Sequence, residues 1–280
     1  MDINNTPRTF IKEICAEEGY HFEGLSQGYV LCITKDGISR HIFGPYWDLN
    51  SAAADRIACD KTACSTLLQN NNIPAIEHAL LYNPLFLGEW ADEEGVLSRA
   101  LRYFEKHNRK LVIKPNKGTK GEDVYYCDTI HGLECAIQSI FKIHPDAALS
   151  PYVEIKTEYR VFYLNGKSHF AYGKKKGKSW QHNLSQGATA FEIPPNSEQN
   201  KKRLADLENL ADRAAKCIGI NFATIDIAES TSGERAIMEI NSGIQARLLV
   251  DQHPHLRHTV KKIYSAAIKA MFTVKYNEMI

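Results

Sequence analysis

Two carboxylates and an amide in one short stretch of the sequence could together bind a metal ion. They are Asp226, Glu239 and Asn241, within residues 222–243. β-Branched and apolar residues flank a polar, glycine-containing turn there, which predicts a hairpin of two strands. Antiparallel pairing sets Asp226 opposite Glu239, and alternation between strand faces then puts all three polar side chains on one face. Oxygen ligands of this kind suit a hard cation such as Mg²⁺, so phosphate chemistry is our first hypothesis.

The other face of the predicted hairpin is apolar. The same pairing sets Ile225 opposite Ile240 and Ile227 opposite Met238, and it predicts that these four side chains pack together. An edge hairpin whose outer face is wetted by water would show the same alternation. The pattern alone therefore leaves a metal site and a solvated hairpin as alternatives.

A glycine-containing loop lies within residues 110–127. An apolar strand delivers Lys114, the loop follows with Gly118, Lys120 and Gly121, and a second apolar strand comes next. Glycines let backbone N–H groups approach phosphate oxygens closely, and lysines supply positive charge. The order strand, loop, strand differs from a P-loop, which runs into a helix. A plain hairpin turn is the alternative interpretation.

Two further charged segments follow the glycine loop. In residues 154–164, Glu158 and Arg160 share one face of a predicted strand, although an exposed ion pair would show the same spacing. Residues 173–179 form a lysine cluster containing Lys174. The cluster has three residues between its glycines where a Walker A loop needs four. We interpret it as a solvated loop from which one lysine could reach a phosphate.

The secondary structure that must position these residues is mixed. Helical patterns occur at 9–18, 50–71, 93–107, 129–144, 197–218 and 253–271, and strand patterns at 29–34, 38–43, 75–80, 111–113, 124–126, 147–153, 154–164 and 168–172. The helix at 50–71 carries Asp60 and Lys61 in its middle. Ser197 and Gly219 are predicted to cap the long helix between them. The sequence therefore predicts an α/β (α+β) fold.

Bulk composition excludes several classes of protein. The length of 280 residues suggests about two domains, and 44% hydrophobic with 24% charged residues is ordinary for a globular protein. A net charge of +1 gives no reason to expect a nucleic-acid or anionic-membrane partner. The chain has no apolar run of about 20 residues, and its first ten residues lack a signal-peptide core. We expect a cytoplasmic protein.

Cysteines and histidines provide no strong metal motif. The seven cysteines are scattered and lack a C-x-x-C pair, so we expect reduced thiols. His253, His255 and His258 could bind a metal, but no acid or thiolate partner is evident beside them. Surface histidines near a helix start are the interpretation we favour.

In their order along the chain, these motifs resemble those of the ATP-grasp superfamily from about residue 50 to the end. The resemblance is greatest to its glutathione synthetase, RimK-type and cyanophycin synthetase branches. The matching motifs are Asp60-Lys61 with Leu67-Leu68 and Ile73-Pro74, Ile113-Lys114-Pro115 with Gly118 and Gly121, Tyr152-Val153 through Glu158-Tyr159-Arg160-Val161, Asn183-Leu184 with Gly187-Ala188, and Asp226 with Glu239-x-Asn241. Each is weak alone, whereas five in order are specific.

The resemblance implies an ATP-grasp fold, in which two α/β subdomains clasp ATP. It divides the chain into a short N-terminal α/β cap at 1–50, an N-terminal subdomain with the glycine loop at 51–153, and a C-terminal subdomain with the metal-binding hairpin at 154–280. The implied activity is an ATP-dependent carboxylate-amine ligase that acts on an amino acid or peptide through an acyl phosphate, and family habit favours a homodimer. A kinase-like phosphotransferase and a non-catalytic nucleotide-binding module are the alternatives.

The same resemblance implies roles at the nucleotide site. Lys61 and Lys114 would contact the α and β phosphates, and Glu158 would bind the ribose hydroxyls. The loop of Gly118, Thr119, Lys120 and Gly121 would cover the nucleotide, while backbone groups of Pro151, Tyr152 and Val153 would meet the adenine edge and Met238 would pack against its ring. Asp226, Glu239 and Asn241 would hold two Mg²⁺ ions, for which Mn²⁺ can substitute.

The resemblance extends to the chemistry and to the substrate. Arg160, Lys174 and Asn183 are implied as catalytic residues, and the first two would stabilise the transferred phosphoryl group or the acyl phosphate. Arg247 is implied as a substrate contact. Thr224 stands where D-alanine ligases have arginine, which argues against that substrate class.

Overall fold

The computed structural model describes residues 5–87, 95–118, 121–177 and 184–273. Its strands are β1 His21–Leu25, β2 Val30–Lys35, β3 Ile38–Phe43, β4 Tyr46–Trp47, β5 Ala79–Tyr82, β6 Leu111–Pro115, β7 Tyr125–Cys127, β8 Asp146–Pro151, β9 Ile155–Leu164, β10 Lys167–Lys175, β11 Thr189–Glu192, β12 Phe222–Ser230 and β13 Arg235–Asn241. Its helices are α1 Pro7–Glu18, α2 Ala52–Cys59, α3 Lys61–Asn70, α4 Pro84–Leu87, α5 Val96–Lys106, α6 Ile130–Phe141, α7 Glu198–Ile218, α8 Arg247–Gln252 and α9 Arg257–Thr273. The predicted mixed α/β class is confirmed.

The strands form antiparallel sheets. Sheet A has the order β1-β2-β3-β4, sheet B the order β11-β10-β9-β12-β13, and sheet C the order β5-β8-β6-β7. Sheet B carries the predicted Asp226–Glu239 hairpin in β12 and β13, and sheet C carries Lys114 in β6. The strand, loop, strand order predicted around the glycine loop is confirmed, because β6 pairs antiparallel with β7.

Sheet B is buried on both faces. Tyr159 and Val161 pack on one face in a core that includes α7, whereas Phe162 and Leu164 pack on the other in a core shared with α1, sheet A and α9. Sheet C forms a third core with α5 and α6. Alternation along β9 puts Glu158 and Arg160 on the Phe162 face, as predicted. Helices α2 and α3 pack with the α7 core, while the three-part division of the chain stays a prediction.

The predicted continuous helix over 50–71 is wrong, because the chain breaks at Asp60. Asp60 has an extended backbone (φ −99°, ψ 104°), and its Oδ1 accepts hydrogen bonds from the N–H of Ala63 and the hydroxyl of Thr62, both at 2.9 Å. Aspartate favours helix N-caps over helix interiors because its side chain competes for backbone donors. As a result Lys61 begins α3 and does not lie in the middle of a helix.

Two other predicted element boundaries are also wrong. The predicted strand over 75–80 is observed further along as β5, and Ala75 makes an isolated bridge to Ile237. The predicted helix over 253–271 begins only at Arg257, after α8 and the 3₁₀ turn Pro254–Leu256. Proline lacks a backbone N–H and is tolerated only in the first turn of a helix. The predicted capping of α7 by Ser197 and Gly219 is confirmed.

The register of the hairpin is confirmed at its centre and wrong beyond it. Asp226 pairs with Glu239 and Ile225 with Ile240, but Ile227 pairs with Ile237 and not with Met238, because the register shifts between Asp226 and Ile227. A bulge of this kind inserts one extra residue on one strand. Ile237 also bonds to residues 74–76 on its other edge, donating to Pro74 O at 2.8 Å. Ile237 therefore takes the core position predicted for Met238.

Within the ranges described above, every helix is too short or too polar to cross a membrane. The seven cysteines are all free thiols, as predicted.

Candidate nucleotide and metal site

Asp226 lies at the centre of a buried charge cluster on sheet B. It is 1% exposed, and its register partners are Arg160 on β9 and Glu239 on β13. The Arg160 guanidinium donates from Nε to Oδ1 at 2.7 Å and from Nη2 to Oδ2 at 2.5 Å. Two parallel bonds of this type are the strongest arginine–carboxylate geometry. They fix both the position and the charge of Asp226.

Lys174 joins this cluster from β10. Its ammonium forms ion pairs with Glu158, its register partner on β9, and with Asp226 Oδ1 at 3.4 Å. Lys174 and Glu158 are 1% and 2% exposed. The interpretation of the lysine cluster as a solvated loop is therefore wrong at Lys174, because β10 continues through it. Glu158 and Arg160 do not form an exposed ion pair either, since each binds another buried group.

The cluster balances two negative against two positive charges. Burial disfavours the charged form of Asp226, but the positive charges of Arg160 and Lys174 outweigh it and hold the pKa of this carboxyl well below its usual range. Asp226 thus stays ionised at any pH at which the protein is expected to work. A buried carboxylate of this kind is available to a cation without first losing a proton.

Glu239 and Asn241 complete the polar face of the hairpin. The amide nitrogen of Asn241 donates to Asp226 Oδ2 and to Glu239 Oε1, each at 3.3 Å. One amide therefore bridges the two carboxylates, and the three predicted ligands converge as the strand alternation requires. Two carboxylates and an amide fit a hard divalent cation by donor type, provided that the Asn241 amide turns its oxygen toward them.

Lys61 holds the beginning of the glycine loop. Its ammonium donates to the carbonyl of Gly118 at 2.7 Å and to that of Asn116 at 3.3 Å. The Asn116 side chain, fully buried, accepts from the N–H of Thr62 in the first turn of α3. The loop thus starts against the N-terminus of α3, where unpaired backbone N–H groups favour anions.

Lys114 connects the two sheets electrostatically. Burial, assisted by the positive charge of Lys61, lowers the pKa of Lys114 to about 8, although Glu239 and Glu158 oppose the shift. These influences place its ammonium among the charged groups of sheet B and beside Lys61. Lys114 is therefore only partly protonated in mildly alkaline solution.

His78 and Asn116 belong to this site although no sequence pattern singled them out. His78 is 7% exposed, its Nδ1 lies 2.9 Å from Ile76 O, and its Nε2 has no hydrogen-bond partner among the described residues. Burial and the charges of Lys114 and Lys61 hold the pKa of His78 well below its ordinary value. His78 is thus a neutral group beside the two lysines.

Met238 lies in a cleft with Lys61 and Glu239. Residues of α2, α3 and β13 line this space, whose empty volume is about 230 Å³. The bulge in β13 leaves Met238 outside the isoleucine face of the hairpin. A flexible thioether in such a position suits contact with a flat ring.

The remaining predicted site residues are placed less completely. Pro151 ends β8, and the N–H of Tyr152 donates to Lys110 O at 2.9 Å. Val153 follows without regular structure. Arg247 begins α8 and pairs with Asp251 at 3.4 Å, and the described contacts do not join it to Asp226. Gly118 and Gly121 flank the predicted lid. Thr119, Lys120 and Asn183 lie outside the described residues.

The fold and these residues define an ATP-grasp protein. Residues 109–250, about half of the chain, match a family model described as an ATP-grasp domain, family 3 of its clade, and the chain belongs to this family. The resemblance inferred from the motifs is thereby confirmed. ATP binding is characteristic of this superfamily.

Curated relatives are named as ligases. A probable alpha-L-glutamate ligase of Ectopseudomonas mendocina (strain ymp) is 24% identical over 257 residues, which cover 86% of this chain and 78% of that protein. A protein of the same name from Stutzerimonas stutzeri (strain A1501) is 30% identical over 135 residues, covering 47% of this chain and 42% of that protein. The second match thus spans less than half of that relative's length.

Solved structures share the fold. D-alanine–D-alanine ligase from Bacillus anthracis superposes with a TM-score of 0.60 at 16% identity, covering 80% of this chain and 70% of that one. The ATP-grasp ligase PsnB, solved with a minimal precursor, gives 0.52 at 15% identity, covering 78% of this chain and 64% of that one. Similarity at this level of identity shows the fold alone.

Proposed function

We propose that this protein is an ATP-dependent carbon–nitrogen ligase, which activates a carboxylate as an acyl phosphate and joins it to an amine. The observation that carries the proposal is the charge cluster of Asp226, Arg160, Lys174 and Glu158, buried beside Glu239 and Asn241. A cluster of this kind is costly to bury and persists where charge must be handled during a reaction. Ligase names among the relatives favour this reaction over phosphoryl transfer to a hydroxyl.

The phosphates of ATP would bind between the two lysines and the glycine loop. Lys61 and Lys114 supply positive charge from α3 and β6, and Lys61 already holds the carbonyl of Gly118. We propose that nucleotide phosphates compete for that ammonium and so loosen the loop, which then covers the nucleotide. Excluding water protects an acyl phosphate from hydrolysis.

Asp226, Glu239 and Asn241 would hold Mg²⁺. When bound, Mg²⁺ neutralises charge on the transferring phosphates. Arg160 and Lys174 are fixed by Asp226 before any substrate arrives, so their positive charges are pre-positioned for the phosphoryl group and for the oxyanion of the acyl phosphate. Glu158 would accept hydrogen bonds from the ribose, and Met238 would pack on the adenine.

Substrates are proposed from the names of the relatives. L-Glutamate, alone or at the end of a peptide, is the first compound to test, because relatives are named alpha-L-glutamate ligase. Arg247 is proposed to bind a carboxylate of the substrate. We further propose a cytoplasmic enzyme, since the reaction consumes ATP, and a homodimer; the near-neutral charge of the chain gives no support to a nucleic-acid partner.

The reaction is tested by following ADP release and product mass with Mg²⁺-ATP and candidate acids and amines, singly and in pairs. We expect release that requires both, with a product mass equal to their sum less water. Release with one hydroxyl compound and a mass gain of one phosphoryl group would assign a phosphotransferase, and nucleotide binding without release for any pair would assign a non-catalytic module.

Lys114 makes ATP binding sensitive to alkaline pH. Phosphates favour its ammonium form, whereas its pKa near 8 means that the free protein loses this charge between pH 7 and 9. ATP affinity should therefore fall by about tenfold from pH 7 to pH 9. Competition with a fluorescent nucleotide measures this. Lys114→Arg, which stays charged, should remove the pH dependence, and Lys110→Arg at an exposed position should retain it. A flat profile in the parent protein would contradict the assignment.

A further inference from the structure

A histidine-rich corner lies on the opposite edge of sheet B from the metal-binding hairpin. Glu192 ends β11, the edge strand, while His253 and His255 follow α8. One ligand atom from each of the three side chains lies within 4.8 Å of the other two. His255 Nε2 is 2.6 Å from Glu192 Oε1. The fold thus supplies the acidic partner that the sequence around the histidines lacks.

The backbone around these side chains is held in place. The Gln252 amide accepts from the N–H of Ala190 at 2.8 Å and donates to the carbonyl of Ala188 at 3.1 Å. His253 places Nε2 2.9 Å from the carbonyl of Ala190. Histidines that bind metals commonly use one ring nitrogen for such a carbonyl contact, which orients the ring. Two segments that are far apart in the sequence are therefore fastened together before any ion binds.

We propose that Glu192, His253 and His255 form a binding site for Zn²⁺, separate from the predicted magnesium site. Two imidazoles and one carboxylate are a known zinc ligand set with a fourth position open to water. Mg²⁺ prefers oxygen ligands alone, so the two sites would take different ions. The exposure of the His255 (62%) and Glu192 (42%) side chains gives the ion access from solvent.

The site would couple metal binding to the charge cluster. Ala190 is the register partner of Lys174 across β10 and β11, and it is held by both Gln252 and His253. An ion shared by Glu192 and the histidines would fasten β11 to the segment that follows α8. Zn²⁺ at low concentration should therefore raise the thermal midpoint of the full-length protein.

The test is a Zn²⁺ titration of the full-length protein against a chromogenic chelator. All proteins would carry Cys135→Ser, because the exposed Cys135 thiol lies 3.6 Å from His131 Nε2 and forms a second potential ligand pair. We expect one bound equivalent, an affinity at least tenfold lower in both His255→Ala and Glu192→Gln, and an unchanged affinity in His258→Ala.

Excess Mg²⁺ provides a second criterion. It should not displace the bound Zn²⁺, because it does not compete for imidazole ligands. Loss of Zn²⁺ to millimolar Mg²⁺, or equal Zn²⁺ affinity in the parent and the His255→Ala protein, would overturn the proposal. So would an unchanged thermal midpoint in the presence of saturating Zn²⁺.

Discussion

Glu239→Gln is expected to lower turnover by about a hundred- to a thousandfold while leaving the protein folded. The change removes one charged oxygen from the three side chains that we propose as metal ligands, and the loss of one preorganised electrostatic contact has this magnitude in other enzymes. Stability should change little, because Glu239 is only half-buried and its described hydrogen bond comes from Asn241. Steady-state ADP release and urea denaturation measure the two effects.

Glu234→Gln is the matched control for this prediction. Glu234 is exposed in the turn of the same hairpin, so the same chemical change there should leave both turnover and stability near the parent values. If Glu239→Gln retained full turnover, the metal assignment would be wrong. A loss accompanied by unfolding would also contradict it, since the prediction requires a folded, inactive protein.

Asp226→Asn is expected to destabilise the fold by about 3 kcal/mol or more. The Arg160 guanidinium would lose its doubly bonded carboxylate, and Lys174 would keep only Glu158 as a close anion. Removing one partner of a buried ion pair leaves the other charge uncompensated, which commonly costs about 3–5 kcal/mol. Urea denaturation at neutral pH measures the difference. Asp206→Asn, at an exposed pair with Arg235, should cost less than about 1 kcal/mol.

The pH dependence of this destabilisation has a defined sign. The pKa of Asp226 is depressed in the folded protein, so its contribution is fully present above the unfolded-state pKa of about 3.9 and is lost as pH falls further. The stability difference between the parent protein and Asp226→Asn should therefore be constant near neutrality and shrink below about pH 4. A constant difference into strong acid would contradict the depressed pKa.

Local sequence patterns predicted much of the candidate site. Strand alternation placed Asp226 opposite Glu239 and put Glu158 on the same strand face as Arg160. Ser197 and Gly219 marked the ends of α7. Each of these features depends on spacing within one element or one hairpin, where side-chain direction follows from the backbone period. The family motifs could be recognised for the same reason, because each is a short run of neighbouring residues.

Patterns of this kind failed where a distant segment altered the local preference. β10 continues through a lysine-rich run because Glu158 and Asp226 neutralise Lys174, and the bulge at Met238 accompanies the pairing of Ile237 with residues 74–76. Asp60 is a partial exception, since its capping tendency was readable but the apolar periodicity of 50–71 outweighed it in the prediction.

The sequence by itself determined the class of fold, the hairpin that carries the acidic residues and the kinds of side chain available for phosphate chemistry. Only the tertiary structure decided which charges neutralise one another, how His78 comes to lie beside Lys61 and Lys114, and that Glu192 meets His253 and His255. The physical reason is that side-chain spacing is set within a few residues, whereas charge pairing and burial depend on contacts between segments far apart in the chain.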